Sequence, residues 1–489
     1  MSPSAVALSV IAAIVGIGSL AGFYAGSRYK MDLEQWTVAG RGLGLIFVWL
    51  LMAGEIYTAF TFLGASGWAY SRGGPALYIL AYQPLCYLVS FYILPQIWDV
   101  GHRHQMQTLA DFFQVRYGGK YTGPLVAIVG VVCIIPYLQL QLTGLGIIAE
   151  VASFGAIRHG AAIVVASALV AAFVFFSGVR GIAWVSVLKD LLLLFAAIFV
   201  GIAIPYIYFG GMGPMFGELA RVKPGHLVMP GATKNLGHAW YISTILLSSF
   251  GFYMWPQSFA ASFTAKSADT LRRNAVLLPF YSITMPLMFI VGLAALLIVP
   301  GLANGDLSLL SLVRKTFPAW FLGVIGGAGA LTAMVPAAVQ VLTAATLFTK
   351  NVYRPLFAPD MPDQGVARVA KFVVIAMMAM AVTAAASSSV SLVSLLLLGY
   401  AGVTQFFPGI AFGLYSTRIS RLSVVGGLLT GIAVTTFLVF TKRDPFLGLN
   451  AGFIALCANF AVLIALRLLA RPSSNPLYEQ ELAQTVSAD

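Results

Sequence analysis

Long apolar stretches recur along the chain, separated by short polar turns. A hydropathy window of about 19 residues picks out thirteen: 5–26, 44–70, 75–98, 122–152, 160–178, 184–210, 238–262, 276–299, 320–349, 367–388, 391–416, 421–440 and 446–470. A helix needs roughly 20 apolar residues to cross the hydrocarbon core, and most of these runs meet that length. They are continuous rather than alternating, which predicts helices and not the strands of a barrel. The first run is read as a span and not a cleaved leader, because MSPSAVALS has no basic start and the apolar stretch is too long.

Composition narrows the class. Hydrophobic residues are 60% and charged residues 9% of the 489, too few charges to coat a soluble surface. Disorder, coiled coil and a disulfide scaffold are excluded. Cys86, Cys133 and Cys457 all lie in apolar runs without metal-ligand spacing. The net charge of +12 is read as an orientation signal and not as a nucleic-acid footprint. Placing the Lys and Arg on alternate sides of the spans puts 19 on one side and 9 on the other. The richer side is predicted to be cytoplasmic, with the N-terminus periplasmic and the C-terminus inside.

Nothing between spans is long enough for a soluble domain, and the tail 471–489 is short. No GxxxxGK[ST] loop and no HExxH motif occurs, so neither nucleotide-driven transport nor an enzyme is expected, and no cofactor. The chemistry therefore sits inside the spans. Span 2 carries Glu55 near its middle, where an acid costs ~2.5–3.5 kcal/mol on insertion scales. Ala53-Gly54 precede it, and Gly64 and Gly67 follow, which predicts a broken helix. In span 7, Ser248, Ser249, Gly251, Pro256 and Gln257 interrupt an apolar, aromatic run. Two interrupted helices five spans apart point to a secondary transporter with an inverted repeat, 44–210 against 238–416. The helix 5–26 stands before it, and 421–470 supplies two further helices.

Other spans carry polar residues at depth. Span 4 contains Pro136, Gln139, Gln141 and Thr143 in PYLQLQLTG. Gln141 either caps backbone freed by the proline or faces solute. Thr332, Pro336 and Gln340 share one face of span 9 at four-residue steps. That face is expected to pack on a broken helix, since small residues around it permit close approach. Lys189 and Asp190, at the cytoplasmic start of span 6, either snorkel or line an inner vestibule.

With these motifs in order, the chain resembles the solute:sodium symporter family from about residue 36 to 470. WTVAGRGLG, TLADFFQVRYG, PYLQLQLTG, SGVRGIAWVSVLKD and TAKSADTLRR carry the likeness. LMAGEIYTAFTFLGASGWAYSRGGP and LTAMVPAAVQVLTAATLFTKNVYRP are similar to its bacterial monocarboxylate permease branch. The resemblance implies a leucine-transporter-type, all-α fold in the inner membrane with solute at the midplane. It also implies a sodium site of the Ala53 and Ile56 carbonyls with span 9 positions Thr332, Val335 and Pro336. Val335 and Pro336 stand where the family usually has hydroxyls, and Ser186 stands where it has a carboxylate. Glu55 adds an acid beside that site, where a proton can replace the ion.

The expected function is a symporter importing short monocarboxylates of the lactate, pyruvate and acetate type, coupled to H+ in preference to Na+. Ion coupling is assigned to Glu55, Ala53, Ile56 and Thr332. Solute is assigned to Gly54, Tyr57, Thr58, Gln141, Phe252, Tyr253, Pro256, Gln257 and Gln340. Amide groups and dipole ends at the breaks would receive the carboxylate; the resemblance places Pro256 and Phe252 near it. The alternative is an amino-acid symporter of the same fold, with Glu55 facing the ammonium. A third reading is a channel, which counterflow would distinguish, or a membrane-bound sensor, which the short tail disfavours. Partners are the bilayer and a small solute, with a monomer as the working unit.

Overall fold

The computed structural model describes residues 1–27, 37–387, 390–416 and 419–469. The tail 471–489 and four of the basic residues counted above, Arg28, Lys30, Arg418 and Arg471, lie outside them. Among the described residues, ten helices are long and apolar enough to cross a membrane, and the bent pair Leu45–Ile56 and Phe60–Arg72 makes an eleventh. The other two expected spans are the apolar His159–Phe175 and the interrupted pair His238–Gly251 and Pro256–Ser262. All thirteen expected segments are thus helical.

Spans 5 and 6 form one helical run, His159–Phe209, turned at Gly178 with φ 56°. A positive φ is open to glycine without steric penalty, so the chain redirects there without a loop. Span 9, Ala319–Phe348, is the central helix and is buried along most of its length. Small residues let its neighbours close in. A methyl group at Gly327 would stand 2.7 Å from Ile14 of span 1, and one at Gly329 would stand 2.9 Å from Phe62 of span 2. Span 9 packs on span 1 and span 4, and also touches the Leu45–Ile56 half of span 2 and the Pro256–Ser262 half of span 7.

The loop after span 3 folds into a short helix, Leu109–Tyr117, opened by a capping box between Thr108 and Asp111. Lys350 and Asn351 at the end of span 9 each reach Asp111 at 2.7 Å. Burial acts to raise the Asp111 carboxyl, but the Lys350 ammonium and these hydrogen bonds outweigh it and hold it below the usual carboxylate range. The loop is thereby fixed to the bundle beneath the two broken helices.

Candidate substrate and ion site

Both expected interruptions are present. Span 2 runs as helix to Ile56, leaves it at Tyr57 (φ −95°, ψ 92°) and resumes through a wide turn at Phe60–Gly64, with a 53° bend between the halves. Span 7 tightens at Phe252–Met254, opens at Trp255 (ψ 127°) and restarts with Pro256 in its first turn. A proline there gives up no helical hydrogen bond, because the first amides of a helix have no partner within it.

Backbone opened inside a bilayer needs partners from side chains. At span 2 almost every one can be named. The Ala53 carbonyl accepts from the Tyr57 amide at 2.8 Å. The Glu55 carbonyl accepts from the Tyr137 hydroxyl at 3.2 Å. Gln141 Oε1 accepts from the Ala59 amide at 3.3 Å, and Thr58 Oγ1 from the Phe60 amide at 3.2 Å. The Gly54 and Tyr57 carbonyls accept from Lys189 Nζ at 3.2 and 3.1 Å. The Thr61 hydroxyl lies at 3.5 Å from the Ile56 carbonyl, the edge of hydrogen-bond range.

Between the breaks lies a small cavity of about 10 Å³. Glu55, Ile56 and Phe60 line it from span 2, and Phe252, Trp255 and Ser258 from span 7. Tyr82, Tyr137, Leu396 and Tyr400 complete the wall from spans 3, 4 and 11. Both Glu55 carboxylate oxygens are buried without a hydrogen-bond partner. An acid in that setting is where a proton or a cationic group has something to bind.

A wider vestibule of about 700 Å³ opens towards the end predicted to be periplasmic, lined by Trp68, Arg72, Lys234, Trp240, Leu397 and Asp444 among others. A chain of tilted and edge-on rings lies between the two spaces. Trp240 meets Trp68 at 6.0 Å, Trp68 meets Tyr78 at 5.9 Å, Tyr78 meets Tyr82 at 6.1 Å and Tyr82 meets Phe252 at 5.9 Å between centroids. On the opposite side Tyr57 closes the path. Its hydroxyl lies 3.0 Å from that of Tyr87 and 2.8 Å from Ser282, and its ring packs at 4.3 Å on Tyr281.

The expected site residues therefore fall into groups. Glu55, Ile56 and Phe252 line the cavity. Gly54, Tyr57, Thr58 and Gln141 build the break itself. Pro256 starts the outgoing half of span 7, and a methyl group at Gly130 of span 4 would stand 3.2 Å from its ring. Tyr253, Gln257 and Gln340 are buried with side-chain polar atoms that lack partners, and none of the three lines the cavity. The Thr332 hydroxyl donates to Ala328 at 2.7 Å, and that of Ser186 to Ile182 at 3.1 Å.

Residues not assigned from sequence matter as much. Tyr82, Trp255, Ser258 and Tyr400 read as core aromatics and a small polar residue, and only the packing brings them together. Tyr137 sits inside the quoted motif PYLQLQLTG, beside its proline, which was the available signal. Lys189 was placed at a vestibule or the interface. Instead it is fully buried against the span 2 break and pairs with Asp190 at 2.9 Å.

Comparison with known proteins agrees with this architecture. The chain is 41% identical over 487 residues to the uncharacterized symporter YhjB of Bacillus subtilis, covering 97% of this chain and 99% of that one. It is 27% identical over 484 residues to a monocarboxylate transport permease protein of Rhizobium johnstonii, covering 95% and 96%. A Na+-coupled sialic acid symporter in a substrate-bound, outward-open state shares the fold, with a TM-score of 0.79 at 17% identity over 96% of this chain and 98% of that one. Two opposed broken helices around a closed midplane cavity are the frame of the leucine-transporter type. Since the family model of sodium:solute symporters matches residues 36–431, the chain belongs to the sodium:solute symporter family.

Proposed function

We propose that this symporter carries short monocarboxylates inward across the inner membrane and that a proton drives it. The observation that carries the reading is Glu55, a carboxylic acid with both oxygens unpartnered in the wall of the cavity between the broken helices. The cavity has room for about one water and must widen to admit a solute, to which its lining offers aromatic walls and hydroxyls from Tyr82, Tyr137, Tyr400 and Ser258. Arg72 and Lys234 in the vestibule give an anion a favourable approach. The relative in Rhizobium johnstonii, by its name a monocarboxylate permease, supports the substrate class.

A hard cation needs several oxygen ligands. Val335 and Pro336 offer no side-chain oxygen. Of the implied set, the Ala53 carbonyl, which also accepts from the Tyr57 amide, the Ile56 carbonyl and the Thr332 hydroxyl, which donates to Ala328 and keeps its lone pairs, supply at most three oxygens. The residues present do not fit sodium well, and Glu55 fits a proton. Orientation with the N-terminus outside and C-terminus inside, and a monomer as the working unit, belong to the same proposal.

The test is uptake of labelled lactate, pyruvate, acetate, alanine and proline into proteoliposomes. One arm is sodium-free with an inward proton gradient, and the other has an inward sodium gradient at equal pH. Accumulation of a monocarboxylate in the first arm is the expected result. Accumulation only with sodium overturns the ion assignment. Accumulation of alanine or proline alone favours the second reading, in which Glu55 pairs with the solute's ammonium.

A further inference from the structure

The buried Lys189 has no place in the substrate reading, yet its hydrogen bonding is complete. An ammonium has three N–H groups. One is directed at the Gly54 carbonyl (3.2 Å), one at the Tyr57 carbonyl (3.1 Å) and one at Asp190 Oδ1 (2.9 Å). Two of these acceptors are carbonyls released where span 2 leaves helical geometry. A helix C-terminus carries partial negative charge, and a cation there is favoured. Lys189 thus sits at the break, on the carbonyls one residue beyond Ala53 and Ile56, and has the sign of a bound cation.

The surroundings leave it no alternative place. A methyl group on Gly54 would stand 3.0 Å from Ser186 Oγ and 3.3 Å from Lys189 Nζ. Asp190, beside it on span 6, supplies the counter-charge and is held in turn by the Tyr281 hydroxyl of span 8 at 3.1 Å. Tyr281 packs on Tyr57, so the ion pair, the break and the inner closure form one contact set. Removing one partner of a buried ion pair is strongly destabilising, whereas the pair itself gives little net stability. Its retention at a helix break inside a membrane therefore points to function.

We propose that the Lys189 ammonium is a covalently tethered cation that fills the cation position at the span 2 break, ordering it and setting its charge so that no free sodium ion is needed there. The inference deepens the proton-driven reading and rests on it only for the choice of ion, not for the solute. It also names an ion-selecting residue outside the assigned ion and solute positions.

The experiment is hydrogen–deuterium exchange on the full-length protein in lipid nanodiscs, without solute and without a gradient. Peptides covering 53–63 report the break, and peptides from Arg421–Phe440 report the fold. For the wild type, exchange at the break is expected to be equal in sodium chloride and in choline chloride of the same ionic strength. Lys189→Met, which keeps the length and removes the charge, is expected to exchange several-fold faster at the break with the control peptides unchanged. Sodium-specific slowing in the wild type overturns the proposal, because a free ion would then fill the break despite Lys189. Break protection in Lys189→Met equal to the wild type overturns it as well. If that variant does not fold, the two-salt comparison on the wild type still decides. Because no solute is present, a sodium-insensitive break in a protein that accumulates no monocarboxylate would leave this inference standing and overturn the substrate reading.

Discussion

Glu55 illustrates how far one residue can be read. Its charge in the middle of an apolar run was visible in the sequence, and the structure places it in the cavity wall with neither oxygen paired. Glu55→Gln keeps size and loses no protein hydrogen bond, so folding should be unaffected. Accumulation against a gradient should fall to equilibration, while solute counterflow between equal pools continues. A variant that still concentrates solute with unchanged pH dependence would take Glu55 out of the coupling step. Phe252 and Tyr253 separate in a way the sequence did not show. Both follow Gly251 and both were expected at the solute, but Phe252 alone lines the cavity. Phe252→Ala should raise the half-saturation concentration several-fold. Tyr253→Ala should act through stability, lowering protein yield by an amount in keeping with the ~3–5 kcal/mol of large aromatic truncations, with half-saturation kept. Equal kinetic effects in both would mean the solute lies elsewhere.

At the scale of helices, the two interruptions were legible because glycine, proline and polar residues inside a span have few other uses. The partners of the opened backbone were less so. Gln141 was open between a cap and a solute ligand, and it contacts the Ala59 amide of another span. Tyr137 and Lys189 do the same for the Glu55, Gly54 and Tyr57 carbonyls. Hydropathy reports that a segment crosses the bilayer and not which neighbour faces it, so a lysine at a span end reads as interfacial until a long neighbouring helix carries it inward. The helix-to-helix fit at Gly54 gives a direct check. An added methyl stands 3.0 Å from Ser186 Oγ and 3.3 Å from Lys189 Nζ, close enough that the flexible ammonium must give way. Gly54→Ala is therefore expected to lower the transport rate several-fold and to speed exchange over 53–63, with the membrane fraction of the protein nearly unchanged. Wild-type rates and wild-type exchange together would show that the lysine is not seated as described.

For the whole molecule, spans 2 and 11 meet at one carboxyl group in the loop between spans 8 and 9. Asp306 Oδ2 accepts from the Leu392 amide at the start of span 11 at 2.9 Å, and its own amide donates to Asn304 at 3.0 Å. A methyl group at Gly67, in the Phe60–Arg72 half of span 2, would collide with Asp306 Oδ1 and its backbone. Span 11 supplies Leu396 and Tyr400 to the cavity and Ser394 and Leu397 to the vestibule, so this junction anchors the helix that borders both spaces. Burial raises the Asp306 carboxyl from 3.8 to about 7, partly opposed by the hydrogen bond from Leu392. The sign follows from proton counting. Between roughly pH 4 and 7 the folded protein holds a proton at Asp306 that the unfolded chain has released, so stability falls as pH rises through that window. Above about pH 7 both states are ionised there and the dependence levels off. Asp306→Asn keeps an acceptor for the Leu392 amide and removes the titration. The unfolding midpoint of the purified wild type should drop relative to Asp306→Asn between pH 4.5 and 7.5, measured in the same detergent and salt. Since other groups titrate in both proteins, the difference between the two curves is the quantity that counts. A difference that stays constant across the range would mean that Asp306 does not hold its proton in the folded state, and that this junction is not tuned by pH.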